Sequence, residues 1–212
     1  MDLGPIAEQI RERLNAKQAA REKGLPTSRA AIRYCANSIR ATHRGETELA
    51  EELMGKAREQ LDIAQKAMEP FPSVYHAGFL HDAEKEYAEA RATSALIRGT
   101  ELPGPEEIGV GDAAYLNGLA EAIGELRRNA LDIMRQGNLT RGEELLAAMD
   151  DIYYVLVSMD YPDALTGGLR RSTDVARSIM ERTRGDLSLT LIQKNLQDAI
   201  AEHQKALGSD GA

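Results

Sequence analysis

Residues 83–90 read Ala83-Glu84-Lys85-Glu86-Tyr87-Ala88-Glu89-Ala90, a run of good helix formers with no β-branched residue, glycine or proline to interrupt it. Read as helix, it sets Glu86 and Glu89 three residues apart, so both point the same way. The flanks extend the pattern. Phe79, Ala83, Tyr87, Ala90 and Ile97 form one apolar stripe at about 100° per residue, with Glu86 at its edge and Glu89 further round. A carboxylate at the edge of an apolar stripe is partly buried, and that is the first sign of chemistry here.

A second pair, Glu121 and Glu125, lies in Asn117-Gly118-Leu119-Ala120-Glu121-Ala122-Ile123-Gly124-Glu125-Leu126 at the i, i+4 spacing of one helix face. If the two helices pack together, four carboxylates converge. Two such groups about 4 Å apart repel by roughly 4 kcal/mol at an effective dielectric near 20, so the cluster needs protons or a bound cation. Periodicity alone gives a plainer reading of this second pair. Leu116, Leu119, Ile123 and Leu126 form the apolar stripe, and Glu121 and Glu125 lie nearly opposite it, on a solvated face. Gly118 and Gly124 argue the other way, because glycine inside a helix is costly unless something approaches closely.

A di-iron bundle would need Glu-x-x-His on each of two helices. The residues three before His43, His76, His81 and His203 are Arg40, Ser73, Gly78 and Ile200, so that motif is missing. The histidines read as surface or packing residues. An all-oxygen donor set instead suits Mg²⁺ or Mn²⁺.

The rest of the chain agrees with helix. Among 212 residues there are only seven Tyr, two Phe and no Trp, and Ala, Leu, Glu and Arg dominate, the composition of an all-α protein. The prolines punctuate it. Pro5 stands at a helix start, and Pro26, Pro70, Pro72, Pro103, Pro105 and Pro162 mark breaks. The predicted helices run from about 3 to 23, from Thr27 or Ser28 to Gly45, where the chain either ends the helix or bends it into the stretch from 46 to 69, from a Ser73 cap to Arg98, from 112 to 136, from 140 to 160, and then from 163 to 184 and 186 to 207 about Gly185, with a fraying tail. Short connections make this a single-domain bundle of six or seven helices over residues 1–212. No apolar run reaches the roughly 20 residues that span a bilayer, and the first residues lack a secretory pattern, so a soluble cytoplasmic protein is expected. The one cysteine, Cys35, excludes an intrachain disulfide and reads as a small buried apolar residue.

Charge is uneven. Residues 1–44 hold nine Lys or Arg against four Asp or Glu, a net of +5, whereas the remaining residues carry −13 of the total −8. An acidic chain with a basic segment can still hold a phosphate backbone locally. Arg29, Arg33, Arg40 and Arg44 are the candidates, with an ordinary solvated face as the alternative.

Several stretches together resemble the translin and translin-associated factor X family of RNA-processing helical proteins. Ser28-Arg29, Ile39-Arg40 and His43-Arg44 resemble its basic helix, and Glu86-Tyr87-Ala88-Glu89-Ala90 resembles the factor X motif Glu-Tyr-Val-Glu-Ala. Tyr115-Leu116-Asn117-Gly118-Leu119 and Gly124-Glu125-Leu126 resemble blocks that both branches share, and the likeness covers nearly the whole chain. The resemblance implies a translin-like fold and, through Glu86, Glu89 and Glu121, which stand where translin has apolar or basic residues, an active site at Glu86, Glu89, Glu121 and Glu125. Position 121 is Glu where the family's enzyme has Asp, one methylene longer. The resemblance further implies a hollow octamer, here an archaeal-type homo-oligomer of one self-sufficient chain. The function expected is a Mg²⁺- or Mn²⁺-dependent endoribonuclease on single-stranded RNA, with Glu86, Glu89, Glu121 and Glu125 as catalytic metal ligands and Arg29, Arg33, Arg40 and Arg44 holding phosphates. The alternative is a translin-like oligomer that binds single-stranded RNA or DNA and cleaves nothing.

Overall fold

The computed structural model describes residues 2–209. Six long helices carry the chain, and three single turns join them: α1 (Gly4–His43), α2 (Thr47–Met68), the turn α3 (Pro72–Tyr75), α4 (Gly78–Arg98), the turn α5 (Pro105–Ile108), α6 (Asp112–Arg135), α7 (Leu139–Ser158), the turn α8 (Asp163–Thr166) and α9 (Leu169–Ser209). No strand occurs among the described residues, so the all-α expectation holds. No helix among them is long and apolar enough to cross a membrane.

The first element corrects the proline reading. The break expected at Gly24-Leu25-Pro26 is absent, and α1 runs straight through Pro26. Proline deprives the Glu22 carbonyl of its partner, but tertiary packing outweighs that loss. Ala20, Gly24, Ser28, Ala31, Cys35 and Ser38 are buried on both sides of the proline, and they face Ala50, Met54, Ala57, Leu61, Ala64 and Met68 of α2. The α2 spacing alternates four and three, the knobs-into-holes rhythm of an antiparallel pair. Gly24 is part of that pairing: a Cβ there would lie 2.5 Å from Met68 Sδ. At the other end of the hairpin the Ser38 hydroxyl donates to the Ala50 carbonyl at 2.9 Å. The small alanines of this α2 face let the two helices close, while Leu49, outside it, is left 40% exposed.

The break expected at Gly185 is also absent, and α9 continues through it. Arg127 of α6 donates to Thr183 Oγ1 at 3.1 Å and to Asp186 Oδ2 at 2.8 Å, one on each side of the glycine. The interruption falls instead at Gly167 and Gly168, whose φ of +61° and +85° turn the chain between α8 and α9. The segment from Ser73 likewise forms only the turn α3 before α4 starts at Gly78. The fraying tail expected from Gly208 is still helical at Ser209, and beyond that it lies outside the described residues.

Two apolar cores share α4. One joins α1, α2 and α4 around Met54, Leu61, Met68, Leu80 and Tyr87. The other joins α6, α7 and α9 to the end of α4 around Ile123, Leu126, Leu145, Met149 and Leu169. The connection from α4 to α6 doubles back, so these two helices run the same way: Glu84 accepts from the Gly111 N–H at one end, and Arg141, just past α6, donates to the carbonyls of Leu96 and Ile97 at the other. Arg58 pins the connection by donating to the Ile108 carbonyl at 2.7 Å and the Gly109 carbonyl at 3.1 Å, with its guanidinium 5.5 Å from the centre of the Tyr87 ring.

The α7 face of Leu145, Met149, Ile152 and Leu156 is buried within the chain. The other side of α7 leaves Tyr154, Val155 and Val157 exposed, and two longer apolar stripes stand uncovered at the chain's ends. Leu3, Ile6, Ile10 and Leu14 line the first turns of α1, and Leu189, Ile192, Leu196, Ile200 and Leu207 line the last turns of α9, all exposed.

Candidate functional site

The crossing of α4 and α6 is built on Gly118. A Cβ there would stand 2.6 Å from the Lys85 carbonyl oxygen, 2.7 Å from Ala88 Cβ and 2.9 Å from the Glu89 nitrogen. The two backbones therefore touch at the one residue that has no side chain, and the carboxylates on either side are drawn together. One oxygen each from Glu86, Glu89 and Glu121 lie within 4.8 Å of one another, all partly buried. The solvated-face reading of Glu121 fails because α6 has two covered faces. Its leucine stripe serves α7 and α9, while Gly118 admits α4 on the other side.

Electrostatics follow from this arrangement. Burial, and then the neighbouring charges of Glu86, Glu121 and Glu125, push the Glu89 carboxyl up to about 8. Burial and Glu121 raise Glu86 as well. Glu125 moves the opposite way, held below the usual carboxylate range by its hydrogen bond from His43. The two nearest atoms of that pair, His43 Nε2 and Glu125 Oε2, are 2.5 Å apart, and the imidazole is 5% exposed. A carboxylate only accepts, so Nε2 carries the proton; His43 Nδ1 is buried without a partner among the described residues. Arg128 Nη1 stands 3.8 Å from the same Glu125 oxygen. Lys85 Nζ is 2.6 Å from Glu121 Oε1.

Glu86, Glu89 and Glu121 are thus brought together, while Glu125 stands beside them in a separate pair with His43. The three oxygens fit a hard divalent cation. Ligands of Mg²⁺ sit at about 2.1 Å and so at most about 4.2 Å apart, a rotamer adjustment from the arrangement seen. Two of the three carboxyls carry raised pKa values that a cation would relieve.

Arg29, Arg33 and Arg40 on α1 and Arg44 at its C-cap are all exposed, and at about 100° per residue they fall within a stripe about 60° wide. They are not equivalent. Arg44 is held by Glu46 through two bonds of 2.8 and 2.6 Å, and Arg40 donates to Asn37 at 2.8 Å. Arg29 and Arg33 have no acidic partner among the described residues. The stripe runs toward the carboxylates, since α1 ends at His43 against Glu125. Cys35, on the inner side of α1, is a buried thiol pushed up by desolvation and by the charges of Glu86 and Glu89.

Reasoning from sequence missed His43 and Lys85. For His43 a signal existed: it lies one helical turn past the apolar Ile39, so it falls at the edge of the buried face of α1. Lys85 gave none, since only the Gly118 crossing brings it to Glu121.

No family model matches the chain. The uncharacterized protein MJ0175 of Methanocaldococcus jannaschii is 33% identical over 192 residues, spanning 89% of this chain and 82% of that protein. Among solved structures, AfC3PO in complex with duplex RNA is 37% identical, with a TM-score of 0.82 over 88% of this chain and 97% of that one. AfC3PO alone gives a TM-score of 0.80 at the same identity and coverage. Apo-NeC3PO, at 18% identity and a TM-score of 0.80 over 90% of this chain, shares the fold.

Proposed function

This chain belongs to the translin family represented by those C3PO structures, and from that membership we propose that it is a divalent-metal-dependent endoribonuclease that binds and cleaves single-stranded RNA within a hollow homo-oligomer. The observation that carries the reading is the convergence of Glu86, Glu89 and Glu121 to within 4.8 Å at the Gly118 crossing. A bound Mg²⁺ or Mn²⁺ supplies charge for the scissile phosphate and lowers the pKa of an attacking water. The remaining roles fall to the chain itself. Glu86, Glu89 and Glu121 hold the ion through oxygen. Glu125, oriented by His43, accepts a hydrogen bond from the attacking water and aims it. Arg29 and Arg33 hold phosphates as point charges without reading bases, and Arg40 and Arg44 continue that path toward the carboxylates. The complex of a 37% identical relative with duplex RNA supports RNA as the partner. The apolar stripes at the ends of α1 and α9 support self-association, because they have no cover within the chain.

A second reading, an RNA-binding oligomer without cleavage, draws support from Lys85, which already neutralises Glu121. One experiment separates the two. Labelled single-stranded and duplex RNA are incubated with the purified protein in Mg²⁺, in Mn²⁺ and in EDTA. Cleavage that EDTA abolishes is the expected result. Binding without cleavage in either metal overturns the nuclease reading and leaves the binding module.

A further inference from the structure

Around the three-carboxylate group, one cation among the described residues is already in contact. Lys85 Nζ lies 2.6 Å from Glu121 Oε1, its side chain 20% exposed. Glu86 and Glu89 have no ion pair among the described residues, and Glu125 is satisfied separately by His43 and Arg128. The Lys85 backbone is fixed, since its carbonyl is the atom that packs on Gly118. Only its flexible four-carbon stem is left to move.

We propose that the Lys85 ammonium is an internal stand-in for the divalent cation: it occupies Glu121 in the ion-free protein, gives way when Mg²⁺ or Mn²⁺ enters, and thereby sets the affinity of the site. The inference rests on the cation reading of Glu86, Glu89 and Glu121. An ammonium against Glu121 competes with a divalent ion for that carboxylate's charge. The two like charges repel strongly at that separation in a partly buried site, and the divalent ion, with two further carboxylates to bind, holds the stronger claim. Lysine suits such a role better than arginine, because it binds as a compact point charge and makes no bidentate fork that resists release. The displaced ammonium swings out on its stem at the rim of the site, where an anionic phosphate can take it. Loading the cation and capturing a phosphate are then one coupled event.

The test is Mn²⁺ binding, measured by titration calorimetry and by the electron spin signal of free Mn²⁺, on the full chain and three variants, with no RNA present. Lys85→Met is expected to bind Mn²⁺ at least tenfold more tightly than wild type, Lys85→Arg no more tightly than wild type, and Glu89→Gln at least tenfold more weakly. Should Lys85→Met fold poorly, Lys85→Gln replaces it with the same expectation. Lys85→Met affinity equal to or below wild type, with Glu89→Gln still weakened, overturns the stand-in role and leaves the cation site intact. Glu89→Gln binding as wild type does overturns the cation site and the inference with it.

Discussion

Replacing Glu89 by Gln is expected to make the protein more stable while it destroys activity. Glu89 is raised from its ordinary 4.5 to about 8 by burial and by the carboxylates around it. Between those two values the folded protein keeps a proton that the unfolded chain releases, so stability is full at or below the unfolded value and falls as pH rises, levelling off above about 8. At pH 7 the interval already crossed is about 2.5 units at 1.36 kcal/mol each, or about 3 kcal/mol of destabilisation that the neutral, equally shaped Gln does not suffer. For a chain of this size that is about 6–12 °C in Tm. The assay is thermal and urea unfolding of both proteins in EDTA, at about pH 5 and about pH 8. The stability gap opens with pH and closes when Mn²⁺ is added to wild type. The same variant should bind RNA as well as wild type or better, since a repulsive charge near the phosphate path is gone, yet cleave it orders of magnitude more slowly. A gap that is absent, or equal at both pH values, refutes the burial and repulsion argument, and undiminished cleavage removes Glu89 from the site.

Gly118→Ala and Gly124→Ala should part company. The first places a Cβ 2.6 Å from the Lys85 carbonyl and is expected to cost about 2 kcal/mol or more and weaken Mn²⁺ binding. The second meets nothing nearer than Ile179 Cδ1 at 3.9 Å and should gain about 0.5–1 kcal/mol from helix propensity, both read by urea denaturation. Reversing Arg29 and Arg33 to Glu should weaken all RNA sequences alike and lower the salt slope by about one per lost phosphate contact in filter binding. Arg44→Glu should do less, because Glu46 already engages that guanidinium. Leu196→Glu with Ile200→Glu should shift light-scattering mass downward toward the 23.2 kDa chain without unfolding the bundle; an unchanged mass clears the α9 stripe of any role in assembly.

What the sequence disclosed and what it withheld divide along physical lines. Helix class, the length of α6 and the carboxylate spacing are local properties of composition and period, and they were legible. The continuity of α1 through Pro26 and of α9 through Gly185 was not, because local propensity argues for a break and only packing against α2 and α6 overrides it. The placement of Glu121 shows the same limit. A helical wheel assumes one buried face, and α6 has two, the second carrying Gly118; the glycine was visible as a departure from helix preference, but its partner, the backbone at Lys85 and Glu89, was not. The roles of the carboxylates and arginines came from resemblance rather than periodicity, and they stand as the proposal above.

The long ends of α1 and α9 bear on the order in which the protein is made. Extending a helix from a formed turn adds one hydrogen bond per residue fixed and is nearly neutral in water, so the turns that carry Leu3 to Leu14 and Leu189 to Leu207 gain little from the bundle they leave. The central helices can condense as a single chain, but these arms lock only when another surface covers them. Under the self-association proposed above, folding of the subunit would finish in a bimolecular step, and helix content measured by circular dichroism is expected to rise with protein concentration although each bundle is already complete.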